Sequence, residues 1–465
     1  MSISITFSSS SHNVLKRIAS IFAPFTHHPS GRSFKNFTDT RMKIHLDTIG
    51  CRLNQAEIEQ MARQFRAEGH SLVAEAAGAD LVVVNTCAVT TEAAADSRQK
   101  IRQAARAGAR EIIVTGCWSS LQPAQAAELP RVTRVISNDQ KDHLVAEVLG
   151  SLEEHFDLEP LARQPLPGLR QRTRAFIKVQ DGCDNACTFC ITTIARGQGR
   201  SRPIPAVLAD IRAALLGGTQ EVVLTGVHLG SWGHDFNDHL PTLIRAILTE
   251  TDTPRLRLSS LEPWDLDADF FSLWSNPRLL PHLHLPLQSG SQSVLKRMLR
   301  KTTPQSFREL AQAARAAIPG VAITTDVIVG FPGETETEFA ETLHFVREME
   351  FAGGHVFTYS SRPGTPAARM KNHVPADVKK SRSAQLRALF GQLSETYRQQ
   401  FIGQTLPVLW ESTSKLDEWG WQMEGLTGNY LRVSARATSP RWNVIDRVRI
   451  SALTPDGLRG EILEP

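Results

Sequence analysis

The sequence predicts an α/β chain in three folded parts: an N-terminal parallel α/β domain over residues 42–150, a central partial (β/α) barrel with a connecting helix over 173–400, and a small C-terminal β-barrel over 401–465. Three observations predict it. Short Val- and Ile-rich runs alternate with helical patterns in the first third, which calls for βαβ units and a parallel sheet. The middle repeats strand and helix six times, and right-handed crossovers then place the helices outside and the loops on one rim. After Gly403 the pattern changes to short alternating strands, as in the small closed barrels that bind oligonucleotides.

In the first part the strands are Lys43 to Thr48, Leu81 to Asn85 and Glu111 to Thr115, separated by helical stretches such as Gln55 to Glu68 and Ala93 to Ala107. In the barrel the strands are Ala175 to Gln180, Glu221 to Thr225, Arg255 to Ser259, His282 to Leu285, Ile323 to Val329 and His355 to Tyr359. Ala206 to Leu216, Ser306 to Ala317 and Glu336 to Glu350 read as helices between them. Ala376 to Phe401 places Leu386, Leu389, Phe390, Leu393, Tyr397 and Phe401 on one helical face; its Lys379, Lys380, Arg382 and Arg387 read as a solvated face. The last part has strands at Leu406 to Glu411, Leu431 to Ser434, Arg447 to Ile450 and Gly460 to Leu463, with turns at Gly425, Gly428 and Pro455-Asp-Gly457.

Residues 151–172, with Pro160, Pro165, Pro167 and Gly168, read as a linker. Residues 1–41 are Ser-rich and basic, with Asp39 their one acid. They read as an over-extended start ahead of Met42 or a disordered extension, in preference to a transit peptide. The net charge of +4 permits a nucleic-acid partner without demanding one. No apolar run reaches the length of a membrane span, and no secretory signal is evident, so the expected compartment is the cytoplasm, where thiols stay reduced.

The six cysteines carry the chemistry. Cys183, Cys187 and Cys190 form one loop with three and then two residues between them, directly after the first barrel strand. Four thiolates saturate a four-iron cluster; three leave one iron open to a substrate or cofactor. A zinc knuckle is the plainer alternative, but structural zinc takes four ligands, and no fourth cysteine or histidine lies nearby. The other three each follow a strand: Thr48-Ile-Gly-Cys51, Asn85-Thr-Cys87 and Thr115-Gly-Cys117. Ligands bind outside the carboxyl ends of the strands in such sheets. One such cysteine would be a packing residue; three at the same topological station imply a second three-thiolate cluster.

The Cys183–Cys190 spacing resembles the radical S-adenosylmethionine (SAM) superfamily. The order of parts resembles the methylthiotransferases, whose last module is the TRAM domain. The likeness covers residues 43–465 and rests on several stretches: Gly50-Cys-Arg-Leu-Asn-Gln55, Val84-Asn-Thr-Cys87, Gly116-Cys117, Gly182 to Cys190, Ser259-Ser-Leu-Glu-Pro263, His282 to Gly290, Asp326 to Glu334 and Tyr359 to Thr365. Cys51-Arg-Leu-Asn54-Gln55 followed by Glu57, Gly226-Val-His228 and Gly425 to Tyr430 look like the group acting on threonylcarbamoyladenosine in tRNA. Related groups act on isopentenyladenosine or on an aspartate of a ribosomal protein. The family often has proline where Thr193 stands, which puts a detail of the rim loop in doubt.

The resemblance implies two 4Fe–4S clusters and SAM, with tRNA, an electron donor such as flavodoxin or ferredoxin, and a sulfur donor as partners. The cluster on Cys183, Cys187 and Cys190 would cleave SAM, and that on Cys51, Cys87 and Cys117 would hold or donate sulfur. The reaction replaces the C2 hydrogen of adenine, next to the anticodon, with a methylthio group. Acid–base groups cannot prepare such a carbon, so a radical cofactor must. Gly226, His228, Glu262, Gln288, Ser289 and Asp326 are candidates for SAM, and each could equally be a structural group. His282 and His284 read as barrel-interior residues. Arg196 and Arg200, with the basic residues around them, are candidates for the tRNA backbone. Arg447 and Arg449 share a strand face on the last barrel, although basic and acidic residues balance there. Two alternatives stay open: the same chemistry on isopentenyladenosine or the ribosomal aspartate, and a non-enzymatic RNA-binding protein with structural clusters.

Overall fold

The computed structural model describes residues 41–150, 173–418 and 420–463. The extension and the linker read from the sequence lie outside the described residues, apart from Arg41.

The first sheet is formed by β1 (Lys43–Thr48), β2 (Ser71–Leu72), β3 (Leu81–Thr86), β4 (Glu111–Gly116) and β5 (Val132–Val135), in the order β2-β1-β3-β4-β5 with every pair parallel. β3, reading LVVVNT, is buried along its whole length. A strand covered on both faces needs such a continuous apolar run, not an alternating one. Helices Arg52–Ala67 and Thr91–Arg106 cover the sheet. The second starts where Thr90 turns its side chain to accept from the Ala93 amide at 3.0 Å. The two-residue β2 and the edge strand β5 carry too little periodicity to be read from sequence.

The second layer begins with β6 (Arg174–Lys178), followed by the short antiparallel pair β7 (Gln180–Asp181) and β8 (Arg200–Ser201). Strands β9 (Glu221–Thr225) and β10 (Arg255–Leu258) join β6 in the parallel order β10-β9-β6. β11 (His282–His284), β12 (Ala322–Val329) and β13 (Gly353–Thr358) form a second parallel trio. A parallel bridge from Ser260 to His284 joins the trios into one six-stranded arc. This is the partial barrel expected. Its core is built by Val222, Leu224, Leu256, Leu258, Leu283, Ile323 and Val327, all at most 1% exposed, against the helices outside. Arg382, read as part of a solvated helical face, is instead buried, with Nη1 2.7 Å from Glu334 and Nη2 3.0 Å from Glu336.

Helix Ala376–Gln399 leads into a closed barrel of β14 (Thr405–Asp417), β15 (Gly420–Thr427), β16 (Arg432–Ala437), β17 (Ile445–Thr454) and β18 (Gly457–Ile462), ordered β14-β15-β16-β18-β17. Closure removes the exposed edges that a small sheet would otherwise present. Val408, Trp410, Met423, Val433 and Val448 fill it, and the Trp410 indole donates to Asp446 at 2.7 Å. Reading Gly425 as a turn was incorrect. It runs inside β15, where a Cβ would stand 2.3 Å from the Leu409 carbonyl oxygen, so glycine marks a close strand approach. Among the described residues no helix is long and apolar enough to cross a membrane.

Candidate active site

The barrel's cysteine loop leaves β7 at Gly182 and returns as β8. Gly182 has φ +72°, and a Cβ there would lie 1.8 Å from the Gln198 carbonyl oxygen, so only glycine allows the two limbs to cross so closely. The Cys183 amide donates to Gly197 at 3.0 Å, the Cys190 amide to Cys187 at 3.1 Å, and the Thr188 amide to Met298 at 3.0 Å. The loop is therefore fixed by its own backbone, leaving the sulfurs for other work. All three cysteines are half-buried. Cys187 has the Arg300 Nη1 3.8 Å from its sulfur. Arg300 is held in turn by Glu262 at 2.6 Å and 3.1 Å, by the Pro286 carbonyl at 2.6 Å, and by the face of Trp264 at 4.5 Å. Burial raises the Cys187 thiol, and the guanidinium works against that rise.

His228 stands on the other side of the loop. Its amide donates to Gln180 Oε1 at 2.9 Å, its Nε2 is 2.6 Å from Asp265, and its Nδ1 is 3.3 Å from the Asn185 amide nitrogen. Burial alone would lower this imidazole, but the bonds to Asp265 and to Cys183 outweigh it and push it up to about 10.

The other three cysteines share one cavity of about 850 Å³ with residues of the barrel rim, Thr225, Gly226, Ser259, His284 and Asp326 among them. Cys51 precedes helix Arg52–Ala67, Cys87 follows β3, and Cys117 opens helix Cys117–Leu121. Gly50 has φ +103°, and its missing Cβ would come 2.6 Å from the Cys87 sulfur. The chain thus leaves out a side chain where a sulfur must sit. Burial raises the Cys87 thiol to about 11; Cys51, which lines the cavity, is raised too, against the pull of Arg196. Such thiols ionise when a metal takes the proton's place. Among the described residues no three side chains converge tightly enough to hold a single metal ion; a cage of several irons instead requires its thiols spread around it. Donor type, the clearance over Gly50 and the open cavity fit an iron–sulfur cluster with one iron free of protein.

The two triads are joined by a buried charge network. Arg196, six residues after Cys190, reaches Glu57 and Asp181 at 2.8 Å and the Asn54 side-chain oxygen at 2.7 Å. Lys141 also meets Glu57 at 2.8 Å, and Lys178 meets Asp142 at 2.5 Å. Burial works against ionising Glu57, but Arg196, Lys141 and Lys178 hold its carboxyl well below the usual range. This corrects the reading of Arg196 as a tRNA contact: it is 3% exposed and its donors are occupied. Lys178 and Arg202 are likewise engaged, Arg202 with Asp210 at 2.5 Å. Arg200, Arg447 and Arg449 are exposed, and among the described residues they are the candidate arginines left open to a phosphate.

The SAM candidates divide in the same way. Gly226 and Asp326 line the cavity; burial alone would raise Asp326, but His284 at 3.2 Å and His355 at 3.3 Å hold it well below the carboxylate range. His228 and Glu262 stand by the cysteine loop. Gln288 is half-buried after β11, and its backbone amide donates to the Asp326 backbone carbonyl at 2.8 Å. Ser289 is corrected: it is fully buried and its hydroxyl is paired with Thr342 at 3.1 Å, a structural bond. Arg300 was missed, because nothing local in RMLRK marks an arginine aimed at a cysteine. Tyr430 was noted only as part of a motif. It reaches from the last barrel to stack on His282 at 4.6 Å, between Arg52, Arg174 and Arg257.

Residues 43–137 match the uncharacterized protein family UPF0004, and residues 177–346 match the radical SAM superfamily. The chain is 37% identical to the threonylcarbamoyladenosine tRNA methylthiotransferase MtaB of Bacillus subtilis, over 88% of this chain and 93% of that protein. It is 36% identical to the protein of the same name from Thermotoga maritima, over 89% and 96%. It is 31% identical to the tRNA-2-methylthio-N(6)-dimethylallyladenosine synthase of Maricaulis maris, over 91% and 98%. In fold it is similar to the radical SAM methyltransferase TsrM of Kitasatospora setae, with a TM-score of 0.56 at 14% identity, over 71% of this chain and 77% of that one. With two cysteine triads, a radical SAM barrel and relatives matched over nearly their whole length, the chain belongs to the MtaB-type family of radical SAM methylthiotransferases.

Proposed function

We propose that this chain converts threonylcarbamoyladenosine in tRNA to its 2-methylthio derivative by radical SAM sulfur insertion. The observation that carries the reading is the single cavity in which Cys51, Cys87 and Cys117 face the barrel rim. A 4Fe–4S cluster on each triad, when bound, would supply an open iron, one for reductive cleavage of SAM and the other for holding the sulfur to be inserted.

The chain's own residues position and insulate. Arg300, fixed by Glu262 and Trp264, sets a positive charge beside Cys187. His228, held by Asp265 at 2.6 Å, braces the other side of the loop near Cys183. Gly226 keeps the rim low, since a Cβ there would meet Gln180 Oε1 at 3.0 Å. Arg196, on the cavity lining, locks the two cysteine-bearing parts together. Asp326, clamped by two histidines, stays ionised on the cavity wall and could receive a hydroxyl or ammonium group of SAM. Residues 401–465 read as the TRAM module, with Arg447 and Arg449 offered to the tRNA backbone. An electron donor and a sulfur donor complete the system. The relatives' names favour the threonylcarbamoyl substrate over the dimethylallyl one, at 36–37% against 31–35% identity.

The test is nucleoside mass spectrometry of tRNA from a strain lacking this gene, with and without complementation. Loss and return of 2-methylthio-threonylcarbamoyladenosine is the expected result. An unchanged level of that nucleoside, or loss of the isopentenyl derivative instead, overturns the substrate assignment.

A further inference from the structure

Four arginines gather where the three parts of the chain meet, and three of them have carboxylates. Arg174 pairs with Glu411 at 2.6 Å, Arg255 with Glu221 at 2.8 Å, and Arg257 with Glu221 at 2.6 Å. Arg52 differs. Among the described residues no carboxylate lies within ion-pair reach of it. Its Nη2 donates to the Tyr430 hydroxyl at 2.9 Å, and its guanidinium carbon lies 5.8 Å from the Tyr430 ring and 5.9 Å from that of Phe176. Two rings, and the hydroxyl that one of them carries, therefore orient a half-buried cation that keeps further donors to spare. It lines the same cavity as the three cysteines and immediately follows Cys51.

We propose that Arg52, braced by Tyr430, binds the carboxylate of the substrate's threonylcarbamoyl group and so determines substrate choice; this rests on the function proposed above. The chemistry is complementary. The threonylcarbamoyl arm on N6 ends in a carboxylate, whereas a dimethylallyl arm is a hydrocarbon. The planar fork of a guanidinium matches a carboxylate in two parallel bonds. The acceptor carbon C2 and the carbon that bears the N6 arm flank N1 on one edge of the purine, so the arm leaves beside the acceptor carbon. When C2 faces the triad that contains Cys51, a group next to Cys51 on the cavity wall is well placed for the arm. A site that leaves a buried donor unmatched also rejects the analogue that lacks the acceptor.

The experiment measures binding of the anaerobically purified holoenzyme to three anticodon stem-loops. One carries threonylcarbamoyladenosine, one the same group with its carboxylate converted to a carboxamide, and one plain adenosine. The wild type is expected to bind the acid about ten- to a hundredfold more tightly than the amide, as for a hydrogen bond to a charged group. Arg52→Gln is expected to bring acid and amide together, and Arg52→Lys to keep part of the preference. Equal affinity of the wild type for acid and amide overturns the proposal, and needs no variant. So does an Arg52→Gln protein of full iron content that keeps the wild-type ratio, or one that loses all three ligands equally, which would make Arg52 a phosphate contact. Failure of the wild type to methylthiolate the acid stem-loop is a separate result: it overturns the proposed function, whatever the binding ratio.

Discussion

Arg196 Nη1 lies 2.8 Å from Glu57 Oε1, so the loop that carries one set of cysteines is anchored in the part that carries the other. Both side chains are at most 2% exposed. The bond fixes how the two triads face the shared cavity, because Arg196 closes the Cys183–Cys190 loop and Glu57 sits on the helix that follows Cys51.

Removing one partner of that pair should be costly. Arg196→Ala leaves Glu57 and Asp181 buried without their guanidinium, and a loss of about 3–5 kcal/mol is expected. Thermal unfolding of the cluster-free protein should show it, and Glu57→Gln in the same background should recover part of the loss. A melting temperature unchanged by Arg196→Ala would contradict the anchor.

Gly50 and Gly182 should separate the two clusters. Gly50→Ala drives a Cβ into the Cys87 sulfur and should lower iron from about eight to about four per chain, with SAM cleavage retained. Gly182→Ala forces the barrel loop off Gln198 and should abolish SAM cleavage. Iron analysis with deoxyadenosine release on dithionite reads both. Equal losses from the two variants would sink the assignment.

Acid should loosen the last barrel through Glu221. Burial alone would raise this carboxyl, but Arg257 and Arg255 bring it to about 2. The same arginines donate to the carbonyls of Leu426, Thr427 and Gly428, mooring β15. A depressed carboxyl stabilises fully above its unfolded value and loses that contribution as pH falls through the folded one. The mooring should therefore weaken from about pH 4.5 down toward about 2. Hydrogen exchange of β15 amides reads it, and Glu221→Gln should lose protection there already at neutral pH.

Exposed arginines should set the salt dependence of tRNA binding. Each of Arg200→Ala, Arg447→Ala and Arg449→Ala that removes a phosphate contact should reduce the slope of log affinity against log salt by about 0.7–0.9. A slope unmoved by all three variants would place the tRNA elsewhere.

The strands, the six-fold βα repeat and the closing β-barrel were legible because apolar periodicity is a local property, and so was the spacing of Cys183, Cys187 and Cys190. The station of Cys51, Cys87 and Cys117 could be inferred because parallel strands end on one side of a sheet. Charge was not legible in that way. Arg196 and Arg200 stand four residues apart in one basic run, yet one is sealed against Glu57 and the other meets solvent. Arg52 shows the same limit from the other side: its phenolic partner Tyr430 lies 378 residues away. Sequence by itself determined which elements form and which thiols end them. Only the tertiary structure decided which cations are already neutralised, because a partner for a charge is chosen by proximity in space, and burial makes that choice worth several kcal/mol.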